Sequence, residues 1–352
     1  MTRTAMRLVA VAMLVLAVLW VVPGPTATAQ AKKYRVGLVY DVGGRGDLSF
    51  NDMAYAGLAR AAKEFGKNLE TRDLEPTAGG ENREELLRLL AGEKFDLLLG
   101  IGFLFTDSIT RVAKDYPELK FGIVDGFIPD QKNVAALLFS EHEGSFLVGA
   151  AAALKSKTGK IGFVGGMKIP LIEKFEAGYI AGAKYVRKSV TVYSDYAGTT
   201  GEAFRDPVKG KELSLAQYDR GADIIYHASG GTGIGVFEAA VVKKKLAIGV
   251  DADQSLTVKP DQQGRILTSM MKRVDVAVYN TIKATLNGTF KGGVQVFGLK
   301  QGGVGYAVND YNRKMISDIV PRLEALKKDI IAGKIVVPDD KKKLDAFVKG
   351  LK

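Results

Sequence analysis

The chain runs to 352 residues, 47% of them hydrophobic and 25% charged, with 10 prolines and a formal net charge of +11. At roughly 150 residues per domain, that length suits about two domains with sizeable cores, and the composition excludes wholesale disorder, collagen and a multi-span membrane architecture. Cysteine is absent and histidine occurs only twice, which excludes disulfides, thiolate metal sites and thiol nucleophiles and leaves little for metal clusters. The aspartate pairs show no EF-hand spacing, and neither a cofactor nor a metal is expected. Much of the positive charge sits near the C-terminus, in Lys327, Lys328, Lys334, Lys341, Lys342, Lys343, Lys349 and Lys352. No aromatic or RNP-like pattern is interleaved with it, so it reads as a solvated helical face and not as a nucleic-acid surface.

At the N-terminus Arg3 and Arg7 precede an apolar stretch over 8–22, followed by Pro23-Gly24-Pro25 and the small residues Ala27-Thr28-Ala29. That order predicts a cleavable secretory signal over 1–31, cut after Ala29 or Ala31. The apolar stretch is shorter than the roughly 20 residues of a membrane-spanning helix. With no cysteine near the cleavage site to carry a lipid, the expected product is periplasmic and not lipid-anchored.

Short apolar runs then alternate with helix-period segments. Strands are expected at 34–40, 69–74, 95–100, 119–124 and 134–139, with helices at 50–65, 80–91 and 106–115 between them. A second series has strands at 160–164, 190–193, 223–227 and 246–250, with helices at 143–154, 171–186, 206–218 and 233–243. Such βα repetition predicts right-handed crossovers and parallel sheets, and two series imply two lobes. The remaining segments, strands at 267–271, 294–299 and 304–308 and a helix at 274–287, are too few to fold alone. They are expected to return to the first lobe, giving lobe 1 as 32–138 plus 267–303 and lobe 2 as 139–266 plus 304–352. The chain would cross between lobes near 138–141, 266–269 and 299–305, the last stretch containing Gly302, Gly303 and Gly305.

Ligands of parallel α/β sheets bind at the carboxyl ends of the strands. After the first strand comes Asp41-Val42-Gly43-Gly44-Arg45-Gly46-Asp47-Leu48-Ser49-Phe50-Asn51, which is neither a Rossmann fingerprint nor a P-loop. It offers flexible backbone, carboxylates and an aromatic ring at a helix start, or else a Gly-rich turn capped by Ser49 or Asp47. Asp125, the pair Asp251 and Asp253, and the glycines 230, 231 and 233 follow other strands, and Phe204 lies in a polar loop. Two aspartates, two loop aromatics and a Gly-rich turn on one rim suit a polyhydroxyl group joined to a planar ring. His142 and His227 have no G-x-S-x-G elbow to serve, so no catalytic residue is expected. The paired carboxylates leave a secreted nucleoside or sugar hydrolase as the alternative.

Asp41-x-Gly43-Gly44 to Asp47-x-Ser49-Phe50-Asn51, Phe121-Gly-Ile-Val-Asp125, Glu143-Gly-Ser-Phe-Leu-x-Gly149 and Gly162-Phe-Val-Gly-Gly-Met167 resemble the basic membrane protein family. So do Asp206-Pro-x-Lys-Gly-Lys211, Gly230-Gly-Thr-Gly233, Gly249-Val-Asp251 and Thr268-Ser-Met-Met-Lys272. The resemblance covers roughly 34–310 and implies a substrate-binding protein of an ABC importer. With it comes a type I periplasmic-binding-protein fold, in which two doubly wound parallel-sheet lobes are joined by a three-strand hinge. It also implies a nucleoside ligand, a purine in preference, with the base between Phe50 and Phe204 and its edge read by Asp125, near Asn51 and Asp41. The ribose positions match Asp251, Lys272 and the Gly230-Gly231 turn. The implied partners are that ligand and an ABC permease in the inner membrane, for a monomer that binds no nucleic acid and is not an enzyme. A ligand-sensing subunit is a further alternative.

Overall fold

The computed structural model describes residues 32–351; the signal expected over 1–31 lies outside them. From Lys33 onward the chain forms one unit built on two six-stranded sheets. The first half supplies β1 (Tyr34–Val39), α1 (Phe50–Phe65), β2 (Leu69–Leu74), α2 (Arg83–Gly92), β3 (Leu97–Ile101), α3 (Thr106–Asp115), β4 (Lys120–Val124) and β5 (Val134–Phe139). Next come α4 (Glu141–Lys155), β6 (Lys160–Met167), α5 (Pro170–Val186), β7 (Thr191–Gly198), α6 (Pro207–Asp219), β8 (Ile224–Ala228), α7 (Gly233–Lys243) and β9 (Leu246–Asp251). The chain ends with α8 (Pro260–Gln263), β10 (Ile266–Lys272), α9 (Val274–Leu286), β11 (Gly293–Phe297), β12 (Val304–Tyr306), α10 (Arg313–Ile316), α11 (Val320–Ile331) and α12 (Lys341–Gly350).

The first sheet has the order β11-β5-β4-β3-β1-β2 and is parallel throughout. The second, β12-β10-β9-β8-β6-β7, is parallel except for β12, which runs antiparallel to β10. Helices cover both faces of each sheet, which is why the central strands read as unbroken apolar runs: every residue of Leu97–Ile101 and of Ile224–Ala228 is buried. Among the described residues, no helix is long and apolar enough to cross a membrane.

The chain passes between the sheets three times, at Ser140 between β5 and α4, at Arg273 between β10 and α9, and over 298–303 between β11 and β12. The second crossing corrects the lobe boundary expected from sequence. Residues 267–272 do not return to the first lobe; they pair in parallel with β9 and complete the second sheet. An apolar run of this kind carries no mark of the sheet it joins, and only α9, packed on α1, and β11, paired with β5, return. The Gly-rich third crossing is no hairpin, because its flanking strands belong to different sheets.

Helices α4 and α5 pack with their backbones in near contact, because Gly149, Gly178 and Gly182 leave no side chain between them. The last helix, α12, packs back onto this pair through Leu344 and Phe347. Lys341 and Lys343 meanwhile pair with Asp339, Asp340 and Asp345 at the exposed surface.

Candidate ligand-binding site

The carboxyl ends of β1, β3 and β4 face those of β8, β9 and β10 across a crevice between the lobes. A cavity there, with about 580 Å³ of empty space that includes its opening to solvent, is lined by Asp41, Val42, Asp47, Phe50, Asn51, Gly102, Phe103 and Asp125 on one side. On the other lie Leu171, Ile172, Phe175, Phe204, Ala228, Ser229, Gly230, Val250, Asp251 and Lys272. Of the residues singled out by sequence, Asp41, Phe50, Asn51, Asp125, Phe204, Gly230, Asp251 and Lys272 meet in this cavity. Gly231 does not line it; it is buried behind Gly230 against Asp47 and the Phe204 carbonyl.

The loop after β1 is knitted by its own acids. Asp47 accepts from the N–H groups of Ser49, Asn51 and Asp52 (2.9, 2.8 and 3.1 Å), capping α1. Asp52 in turn accepts from the N–H groups of Gly46 and Leu48, both at 3.0 Å. The Asp41 N–H donates to Asn51 Oδ1 (3.0 Å), while the Asp41 carboxylate accepts from the Val42 N–H (2.8 Å) and faces the Arg83 guanidinium at 3.5 Å. Beside it Gly102 has φ 110°, and a Cβ there would stand 2.0 Å from Asp41 Oδ2. Only glycine fits both that backbone and that approach.

Asp125 and Asp251 sit at matching points, just after β4 and at the end of β9, each with φ 64°. A left-handed conformation at a non-glycine residue is held only where its surroundings over-determine it. Asp125 Oδ2 accepts from Lys272 Nζ at 2.6 Å, and Oδ1 is buried without a hydrogen-bond partner. Asp251 Oδ2 accepts from Ser49 Oγ at 2.5 Å. The Lys272 ammonium also contacts Glu141 Oε1 at 3.2 Å and lies 5.1–5.4 Å from the ring centres of Phe50, Phe139 and Phe175. Phe103 and Phe204 meet edge to face with centroids 6.4 Å apart.

Burial pushes Asp41, Asp47, Asp125 and Asp251 each up to about 6. Lys272 pulls Asp125 and Asp251 back down, and backbone N–H groups do the same for Asp41 and Asp47. For Lys272 itself burial works against the charge, but Asp125, Glu141 and Asp251 together raise its pKa. The cavity is thus a low-dielectric box in which several acids share one buried ammonium. His227, at the end of β8, is a buried structural histidine: Nε2 meets Gln254 Oε1 at 3.0 Å, and burial lowers its pKa to about 4. Among the described residues, no group of three or more His, Asp or Glu side chains could hold a metal ion.

Several lining residues were not singled out by sequence. Phe103 follows β3 in Gly100-Ile101-Gly102-Phe103, the same kind of strand-end position that marks Asp125 and Asp251. Leu171, Ile172 and Phe175 are on the first turns of α5 and read as ordinary core. Glu141 does not line the cavity but pairs with Lys272, which does; it is hidden because the helix expected from 143 starts at Glu141, bringing a buried carboxylate to the first crossing.

Two lobes of this topology, joined by three crossings and with a cavity between their strand ends, define a type I periplasmic-binding-protein fold. A profile of the PnrA-like ABC transporter substrate-binding proteins, the Bmp family, matches residues 34–341, and the chain belongs to that family. It is 36% identical over 327 residues to the ABC transporter nucleoside-binding protein BmpA of Lactococcus lactis, covering 86% of this chain and 89% of that one. It is 39% identical over 299 residues to an uncharacterized lipoprotein of Pyrococcus abyssi, covering 80% and 71%. A crystallised solute-binding protein of an ABC transporter system from Aeropyrum pernix superposes with a TM-score of 0.77 at 32% identity, covering 90% of this chain and 97% of that one. The family is a substrate-binding component of transporters, with a small-molecule ligand and a permease partner. One expectation is corrected here. The reading of a periplasmic product without a lipid anchor conflicts with relatives from three Pyrococcus species that are named lipoproteins, and it is withdrawn.

Proposed function

We propose that the protein is the receptor of an ABC importer for a nucleoside, a purine nucleoside in preference, which it encloses by hinge closure and hands to its permease. The observation that carries this reading is one cavity combining the aromatic faces of Phe50, Phe103 and Phe204 with carboxylates on opposite walls, Asp125 and Asp251. Aromatic faces take a planar base, and carboxylates accept from N–H and O–H groups. The name of the Lactococcus relative, a nucleoside-binding protein, supports the same ligand class. In this reading the base lies between Phe50 and Phe204, and the unpartnered Asp125 Oδ1 accepts from its edge near Asn51 and Asp41. Asp251, with Lys272 and the Gly230-Gly231 turn, faces the ribose.

Removing either carboxylate leaves ligand donors buried and unpaired, at about 1–3 kcal/mol each. Asp251→Ala should lose the preference for a nucleoside over its free base, and Asp125→Ala the preference among bases. Phe204→Ala should weaken every nucleoside about tenfold or more. Calorimetry with inosine, adenosine, uridine and hypoxanthine reads all three; equal losses for every ligand in both aspartate variants would contradict the assignment.

Affinity should also depend on pH. The acceptors take up protons as the pH falls through about 6, so binding should weaken from pH 7.5 to pH 5 with proton uptake by the free protein. The same groups act on folding with the opposite sign. Their folded pKa values lie above the unfolded value near 3.8, so their contribution to stability is present at low pH and is lost as the pH rises through about 6. Binding that strengthens on acidification would overturn the acceptor role.

A further inference from the structure

The turn Asp47-Leu48-Ser49 belongs to the first lobe but is held by the second. Leu48 has φ 55°, an unfavourable backbone for a branched apolar residue, and such outliers persist where something holds them. Its side chain packs against the apolar cluster of the second lobe that contains Val164, Val236, Phe237 and Val258. Its carbonyl accepts from Gln254 Nε2 at 3.0 Å. One residue on, Ser49 Oγ donates to Asp251 Oδ2 and lies 3.4 Å from the Val250 carbonyl.

The receiving side is built for this contact. Gln254 is fully buried, and its Oε1 accepts from the Val250 N–H (2.8 Å) while meeting His227 Nε2 (3.0 Å). With the oxygen engaged inside the second lobe, the amide nitrogen can only point at the first. Leu48, Ser49 and Gln254 do not line the cavity, so these contacts join protein to protein and need nothing from a ligand.

We propose that this turn is a clasp: Leu48 docks into the second lobe and supplies part of the free energy of closure, while Ser49 orients Asp251 for the ligand. The clasp rests on the reading of the cavity as the ligand site, and the residues act as positioning residues. Its signature follows from linkage. When closure precedes tight binding, the apparent dissociation constant is the intrinsic one divided by the fraction of competent protein. Weakening the clasp should therefore raise the dissociation constant by one common factor for every ligand, leaving their ranking intact and opening the lobes without ligand. By contrast, a lost contact to the base edge or ribose changes the ranking, and a lost stacking contact leaves the ligand-free lobes unmoved.

The chain has no cysteine, so a spin-label pair can be introduced cleanly at Leu89→Cys on α2 and Val208→Cys on α6, one exposed site on each lobe. In this doubly labelled protein, Leu48→Ala should shift the inter-lobe distance distribution, measured without nucleoside, to longer distances than in its Leu48 parent. It should weaken inosine, adenosine and uridine by the same factor, about tenfold, through faster dissociation. Leu48→Gly, which removes the side chain without backbone strain, should behave alike. Unchanged distances, or losses that differ among the nucleosides, would overturn the clasp. If no nucleoside binds the parent, the ligand reading fails while the distance comparison still decides the clasp.

Discussion

Replacing Lys272 by methionine should cost about 3–5 kcal/mol of folding stability at pH 7.5, the usual result of stripping one partner from a buried ion cluster. The side chains of Lys272, Asp125 and Glu141 are 2%, 5% and 1% exposed, and Asp251 adds a third carboxylate to the field of this ammonium. Methionine fills much of the space beside Phe50, Phe139 and Phe175 but returns no charge. The carboxylates would then take up protons at still higher pH. Because acids with raised pKa values stabilise the fold only while protonated, part of the loss should be recovered at pH 5.5. Urea denaturation at the two pH values tests this, and an identical loss at both would show that the lysine acts by packing alone.

The second large effect is expected far from the cavity. A Cβ at Gly182 would lie 1.9 Å from the Phe146 carbonyl oxygen, and one at Gly149 would lie 2.0 Å from that of Tyr179. These are backbone atoms in the middle of helices and cannot swing aside, so alanine at either position must push α4 and α5 apart. Overpacking of this kind costs typically about 1–3 kcal/mol, and the double variant Gly149→Ala/Gly182→Ala should approach the sum only if the helices do not relax together. The effect should reach the ligand as well. α4 begins at Glu141, which touches Lys272, so a displaced α4 shifts the ammonium that Asp125 shares. Denaturation and calorimetry on the same variants would register both; wild-type stability in either single variant would contradict the close packing of these helices.

The lobes and their sheets were legible because each strand is a short apolar run and each helix has its own period. The rim was legible because the loops after β1, β4, β8 and β9 carry acids, glycines and aromatics where core residues would be apolar. What stayed hidden depends on tertiary contact. Ser49 and Asp251 stand 202 positions apart, and no local pattern links them. Phe175 on α5 looks like core until the fold turns that face to the crevice. The misplaced boundary at 267–272 has the same origin, since β10 announces a strand and not the neighbour it will choose.

On the proposed reading, the crevice between the lobes takes a nucleoside whole. Calorimetric titration of ligand-stripped protein with inosine, guanosine, adenosine and uridine, alongside hypoxanthine and ribose, tests it most directly, with the titrated inosine recovered and checked for integrity. The expected result is nucleoside binding in the micromolar range or tighter, roughly −8 kcal/mol or beyond, with purine nucleosides ahead, base and sugar alone far weaker, and inosine recovered unchanged. Ribose or hypoxanthine binding as tightly as inosine, or inosine recovered as free base, would contradict it.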